Sequence, residues 1–272
     1  MNGIVSVVGS LNIDHVVSVA QHPAPGETVL GGRLRILPGG KGANQAAAAA
    51  RAGATARMIG RVGDDPEGRR YLRGLRRRGV DTSAVLRTPG SVTGRAHVTL
   101  DHAGENSIVV IPGANDTLTA DGVTAAAESI RTASVVLLQL ESPPAAVARA
   151  AELAAEAGAR LVLNASPAET LPDWLLQLAD PVIVNEHEHR RLRVQPRSVC
   201  VTLGAAGARW GEHSERPPRT AVVDTTGAGD AFAGTLAGLL AAGVSEQPAL
   251  AAAVAAGAQA TTWHGAQGWE FS

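Results

Sequence analysis

The sequence predicts an α/β fold in which a mostly parallel sheet is covered by helices on both faces and a small β-sheet stands apart as a lid. Three observations lead there. From residue 118 onward helical and strand patterns alternate, the signature of a parallel sheet with helical crossovers. Four exposed strand-like runs come in two pairs with no helix between the members of a pair, so they do not belong to a βαβ repeat. Finally, Val222 to Leu240 reads as the end of a strand, a turn with two glycines and the start of a helix.

Taken in order, Ile4 to Val8 is a short apolar strand, and Asn12 and Asp14 follow just past its end. Ligands of open α/β sheets bind beyond the carboxyl ends of the strands, so these two polar side chains are placed to hold hydroxyl groups, or else form an ordinary Asx turn. His15 to Val19 and Thr28 to Ile36 form the first lid pair; Gly94 to Leu100 and Ser107 to Ile111 form the second, around the turn DHAGEN. Between them lies PGGKGANQAAAAARAGA, a loop of Gly39, Gly40 and Gly42 followed by an alanine-rich helix from Asn44 to Arg51. It is neither a Walker A loop nor a dinucleotide fingerprint, because the glycine spacing fails both patterns. The reading is a polar-substrate loop with Lys41 and Asn44 as donors. Lys41 is the only lysine among 24 basic side chains, which points to a position that needs a compact ammonium and not a planar fork.

Arg57 to Arg61 reads as a strand and Asp65 to Gly79 as a helix whose arginines make a solvated face, since no aromatic residues interleave them. Then follow helix Ala120 to Arg131, strand Val135 to Gln139, helix Pro144 to Ala157, and strands Arg160 to Asn164, Val182 to Val184 and one from Val199. Glu141, the NEHE segment from Asn185 to Glu188, and a loop with Gly204 and Gly207 fall just past successive strands, so polar groups collect along one edge of the sheet. His187 and His189 lack zinc-ligand spacing and read as surface residues.

At the glycine turn, the helix beginning near Asp230 offers unpaired N–H groups and the positive end of its dipole, which is where an anion binds. Asp230 stands at the same spot. Either it caps the helix, or it takes a proton from a nucleophile that attacks the bound anion.

Composition limits the partners. The chain has 272 residues, 45% of them hydrophobic, and a net charge of −1, which leaves no electrostatic footprint for nucleic acid or an anionic membrane. Cys200 is the single cysteine, so no internal disulfide forms and a reducing compartment fits. The Ala-rich run from Ala249 to Ala260 is too short to span a bilayer. The start MNGIVSVVGS enters a strand directly, without a basic region or long apolar run, and a cytoplasmic location is expected.

The segments GSLNIDHV, PGETV, GGKGANQAAAAA, GDD, ENSIVVIPGAN, LLQLES, NEHE, VTLG and DTTGAGDAF, in this order, resemble the PfkB family of carbohydrate kinases, and within it the ribokinases. The resemblance implies a three-layer αβα core with a β lid in a single kinase domain over residues 1–272, the lid drawn from about 15–36 and 94–111. It implies transfer of the ATP γ-phosphoryl group to a sugar hydroxyl, the 5-hydroxyl for ribose. Asp230 then corresponds to the base, with the amides of Gly227, Ala228 and Gly229 as the anion hole. Asn12, Asp14, Gly40, Lys41, Asn44 and Glu141 correspond to sugar-binding positions. Asn185 and Glu188 correspond to the pair that orders magnesium, and Thr202, Gly204 and Gly207, with Asn185, to nucleotide contacts. A potassium site would use Asp224, Thr226 and the carbonyls of Ala260 and Gly265, and a homodimer would form through the lid.

Three departures accompany the resemblance. The stretch from Glu188 to Val201 is shorter than in ribokinases, no closing helix follows HGAQ, and Trp263 and Trp269 occupy the cation loop. They bear on nucleotide affinity, cation activation and stability. The alternatives are a PfkB kinase for another sugar or a nucleoside, and a sugar-binding relative without catalysis.

Overall fold

The computed structural model describes residues 3–167 and 172–271. In chain order the first half consists of β1 (Ile4–Val8), β2 (Asn12–Ser18), β3 (Leu34–Gly39), α1 (Lys41–Arg51), β4 (Thr55–Gly63), α2 (Pro66–Arg76), β5 (Val80–Asp81), β6 (Val85–Thr88), β7 (Gly94–Leu100) and β8 (Asn106–Ile111). After a 3-10 turn come α3 (Ala120–Ala125), α4 (Ala127–Arg131), β9 (Val135–Leu138), α5 (Pro144–Ala157), β10 (Arg160–Asn164), α6 (Asp173–Leu178), β11 (Val182–Asn185) and α7 (Glu186–Arg191). The chain closes with β12 (Val199–Thr202), β13 (Ala208–Trp210), β14 (His213–Glu215), α8 (Ala228–Ala241) and α9 (Glu246–Ala260).

The main sheet runs β14-β13-β12-β11-β10-β9-β1-β4-β5, with β6 also paired to β4. All pairings are parallel except those that add β13 and β14. Side chains alternate across the strands, as a period of two requires. Val5, Val7, Val135, Leu137 and Val162 pack with α1, α2, α8 and α9, whereas Val8, Val136, Leu138, Leu161 and Leu163 pack with α3 to α6 on the other face. A sheet buried on both faces between helical layers results, the fold class the sequence predicts. The lid is a separate sheet of order β3-β2-β7-β8.

Strand β1 pairs with β9 on one side and β4 on the other. The chain winds outward in one direction through β4 and in the other from β9, so β1 and β9 mark the topological switch, where a crevice opens past the carboxyl ends. Helix α1 and α8 meet beside it. Gly42 to Ala49 are all buried in α1, and the small residues on both helices allow the backbones to approach. A Cβ at Gly234 would lie 2.2 Å from the Gln45 carbonyl oxygen.

Several boundaries differ from expectation. Lid strand β3 begins at Leu34, not Thr28: Gly32 and Arg33 already exchange backbone hydrogen bonds with Ser18, and Leu30 before them projects into solvent. Strand β2 begins at Asn12, so Asn12 and Asp14 belong to the lid strand and not to an Asx turn. The helix expected from Asn44 starts at Lys41, and the one expected from Asp230 starts at Ala228. Asp65 caps α2 by accepting from the Gly68 N–H at 2.7 Å. Ala120 to Arg131 breaks at Ala126 into two short helices that each bury their own apolar side chains, Val123 in one and Ile130 in the other. Val222 and Val223 end no strand. Both are exposed, and the Val223 N–H pairs with the Thr261 carbonyl, so the segment is held by the loop after α9 and not by the sheet.

Gly234→Ala is expected to lose about 1–3 kcal/mol of stability, because the added methyl must push α8 away from α1. Urea unfolding of the purified variant measures it, and unchanged stability would mean the two helices have room to spare.

Candidate active site

Asp230 lies in the first turn of α8 and is 7% exposed. Its two oxygens are held separately: Asn44 Nδ2 donates to Oδ2 and Gln45 Nε2 to Oδ1, both at 2.9 Å. Consecutive residues of α1 therefore grip one carboxylate of α8. Burial pulls the Asp230 pKa upward, while Lys41 and the two amides oppose the shift. The environment favours proton uptake more than a helix N-terminus alone would, a property suited to a general base. Gln45 is fixed in turn, donating also to Asn164 Oδ1 and accepting from Gln139 Nε2.

On one side of Asp230 the residues expected to hold an acceptor hydroxyl come together. Glu141 Oε2 accepts from Ser10 Oγ at 2.6 Å and from the Lys41 backbone N–H at 3.0 Å. Asn12 Oδ1 accepts from Asn115 Nδ2 at 2.7 Å, which leaves the Asn12 amide N–H2 free to donate. Gly40 caps α1 with a positive φ of 84°. The Asp14 carboxylate faces Gly39, and no donor among the described residues reaches it. Burial first, then Glu141 and Asp230, push its carboxyl up to about 7. For the Lys41 ammonium, burial works downward but Asp230, Glu141 and Glu188 outweigh it, so its pKa rises and it stays charged.

On the other side a cleft is lined by Lys41, Asn164, Ser166, Asn185, Glu188, Thr202, Gly227, Gly229 and Asp230. Gly227 is the N-cap of α8 at φ 77°, and a Cβ there would stand 2.3 Å from that of Ala266, so only glycine fits. The Ala228 N–H already reaches the Thr225 carbonyl at 3.3 Å, whereas Gly227 and Gly229 line the cleft. Asn185 and Glu188 form a capping box on α7: Asn185 Oδ1 accepts from the Glu188 N–H and Glu188 Oε2 from the Asn185 N–H, both at 2.8 Å. One Glu188 oxygen is left over. Gly204 and Gly207 are not among the cleft-lining residues: Gly204 is exposed in a 3-10 turn, and Gly207 is packed against the Glu215 carbonyl in the turn to β13.

Beneath α8, Asp224 accepts from the N–H groups of Thr226 and Gly265, each at 2.8 Å. Burial raises its pKa, but those donors and His264 outweigh it and hold the carboxyl below the usual range. Among the described residues no donor reaches the carbonyls of Ala260 and Gly265. Trp263 stacks under Arg51 at 5.2 Å, and Trp269 packs with Tyr71 and Phe271.

The pfkB family carbohydrate kinase model matches residues 4–270. The chain belongs to the pfkB family of carbohydrate kinases. Family membership makes it an ATP-dependent phosphotransferase with a hydroxyl acceptor. It is 38% identical over 258 residues to the bifunctional ribokinase/ribose-5-phosphate isomerase A of Fructilactobacillus sanfranciscensis, covering 86% of this chain and 48% of that relative, so it spans about half of that protein. It is 37% identical over 278 residues to the ribokinase of Bacillus subtilis, covering 97% of this chain and 94% of the relative. Arabidopsis thaliana ribokinase, solved with ribose and ATP, superposes with a TM-score of 0.88 at 31% identity over 98% of this chain and 95% of that one.

For this pfkB kinase, sequence reasoning missed Ser10, Gln45, Asn115, Asn164 and Gln267. Ser10 is the first polar side chain after an apolar strand, and Asn115 ends the quoted IPGAN segment, so a signal existed for both. Gln45, inside an alanine helix, carried none.

Asp14 generates a pH prediction. Its carboxyl is raised from 3.8 to about 7, so its charge costs stability above pH 7, and that cost shrinks as pH falls from 7 toward 3.8. Asp14→Asn without ligand should raise the Tm at pH 8 by about 2–4 °C, with a smaller gain at pH 5. Differential scanning calorimetry across pH checks it; a gain independent of pH would contradict the shift.

Proposed function

We propose that this kinase phosphorylates the 5-hydroxyl of D-ribose with ATP. What supports the reading most is the position of Asp230, a buried carboxylate between the cluster of Asn12, Asp14, Lys41 and Glu141 and the cleft before Gly227 and Gly229. The similarity to ribokinases supports ribose as acceptor.

In the proposed reaction the sugar rests against Asn12, Asp14 and Glu141, with its 5-hydroxyl toward Asp230. The hydroxyl oxygen bonds to the γ-phosphorus as the bond to the β-phosphate oxygen breaks, and the hydroxyl proton passes to Asp230. The amides at the start of α8 receive the developing charge, and Lys41 adds a fixed positive charge beside it. Phosphoryl transfer asks mainly for positioning and charge neutralisation, and groups on β2, α1 and α8 provide both.

Magnesium fits the cleft as an ion that arrives with phosphates. No group of three or more His, Cys, Asp or Glu among the described residues could hold a metal ion, but Glu188 offers a free oxygen with Asn185 and Thr202 nearby, which suits an ion that keeps most of its waters. When bound it would neutralise phosphate charge. Potassium is proposed at Asp224, Thr226 and the carbonyls of Ala260 and Gly265, where an ionised carboxylate meets unpaired carbonyls. A cytoplasmic setting and dimerisation through the lid belong to the same proposal: every residue of β8 is exposed, with Ile108, Val109 and Val110 more than half so, and no helix of the described chain is long and apolar enough to cross a membrane.

A coupled ADP-release assay with Mg-ATP and a panel of sugars and nucleosides, with and without potassium, tests the assignment. Ribose-dependent turnover raised by potassium is expected; turnover with a different acceptor only would discard ribose. Asp230→Ala should bind ribose and keep its fold while kcat falls about two to four orders of magnitude. Near-normal turnover would remove Asp230 from the mechanism. Analytical ultracentrifugation should show a dimer that Val109→Asp converts to monomer, and a wild-type monomer would end the lid proposal.

A further inference from the structure

The segment after Gly265 leaves the proposed cation loop, passes beside α1 and ends on the lid. Gln267, 3% exposed, is its polar centre. Its Nε2 donates to Asn44 Oδ1 at 2.9 Å and to Tyr71 Oη at 2.8 Å, and its Oε1 accepts from Trp269 Nε1 at 3.1 Å. Tyr71 Oη in turn donates to the Gly39 carbonyl at 2.6 Å.

Every direction in this chain of bonds is determined. An indole N–H only donates, so Gln267 must turn its oxygen to Trp269 and its amino group to Asn44. Asn44 must then present its oxygen to Gln267, which leaves its amino group for the Asp230 carboxylate. The reverse setting of Asn44 would put two donors together at one end and two acceptors together at the other, inside a buried site where each unpaired group costs free energy. Trp269 is itself pinned: its ring meets Phe271 at 4.6 Å and Arg78 at 4.1 Å, and its edge fills the space left by Gly74, where a Cβ would be 2.5 Å away. Phe271 donates its N–H to the Ile36 carbonyl on lid strand β3, and Glu270 lies 3.7 Å from both Arg33 and Arg35.

We propose that Gln267 is a positioning residue for phosphoryl transfer: oriented by Trp269, it sets the Asn44 amide so that an N–H faces Asp230, and it ties the carboxylate to a C-terminal strap docked on the lid. This rests on Asp230 as the base of the proposed reaction. Its own chemistry is confined to orientation, since Gln267 does not line the cleft and meets the acceptor side only through its bond to Asn44.

Gln267→Glu tests it with almost no change of shape. A carboxylate cannot donate to Asn44 Oδ1, so Asn44 turns and offers its oxygen to Asp230. The expected result is a kcat about 10–100-fold lower with the KM for ATP within about twofold of wild type. In an Asn44→Ala background the same substitution should change kcat less than about twofold, because its route to Asp230 is gone. An equal loss in both backgrounds, or wild-type kcat for the single variant, overturns the proposal. Trp269→Phe keeps the ring and removes the indole N–H; it should lower kcat about 3–10-fold, and wild-type turnover there overturns the proposal even if Gln267→Glu fails to fold. Solvent exchange of the Asn44 side-chain amide, followed by NMR without substrate, separates this from the assignment of the acceptor: slow exchange in wild type and fast exchange in Trp269→Phe is expected, and equal exchange refutes the inference whichever sugar is used.

Discussion

Burying the Asp230 carboxylate is the constraint that most of the interior answers to. A carboxylate with so little contact with water needs donors for both oxygens and a countercharge, or it will take a proton. Helix α1 provides all three from one short run: Lys41, Asn44 and Gln45. For those groups to reach α8 the helices must lie almost in backbone contact, which explains why the rest of α1 up to Ala50 is alanine or glycine and why Gly234 faces Gln45. The alanine run that looks like low-information sequence is the spacing device for the polar centre.

The layers around it divide the labour. Strands β1 and β9 end at the switch point and set Asn12 and Glu141 close to α1, while β11 and β12 place Asn185 and Thr202 on the far side. Asp14 enters from the lid strand β2, so the lid contributes directly to the proposed acceptor cluster. The Asp230 carboxylate is thus held from the core, lies near Asp14 of the lid, and is linked through Asn44 to the segment after α9.

Much of this was legible in the sequence. Alternating apolar runs predict the strands of the central sheet, since strands buried on both faces are continuous and β-branched. The glycine turn before Asp230 and the glycine-lysine loop were readable because their backbone demands leave few residue choices. Less visible was anything that depends on two distant segments. Gln45 and Gln267 gain meaning only when α1 packs on α8 and the C-terminal segment returns to α2, 223 residues after Asn44. Val222 and Val223 misled for the opposite reason: β-branched residues imply a strand locally, but both side chains are exposed and the Val223 N–H is taken by the Thr261 carbonyl.

The scarcity of lysine has a practical side. Reagents that acylate primary amines find a single ε-amino group in this chain, that of Lys41, and it lies in the wall shared by the acceptor cluster and the cleft. Apart from the α-amino group, which acylates more readily, a covalent label of this kind has one position to take. Its reaction rate, slow while Asp230, Glu141 and Glu188 hold the ammonium protonated and faster where they release it, would follow the electrostatics of this centre one molecule type at a time.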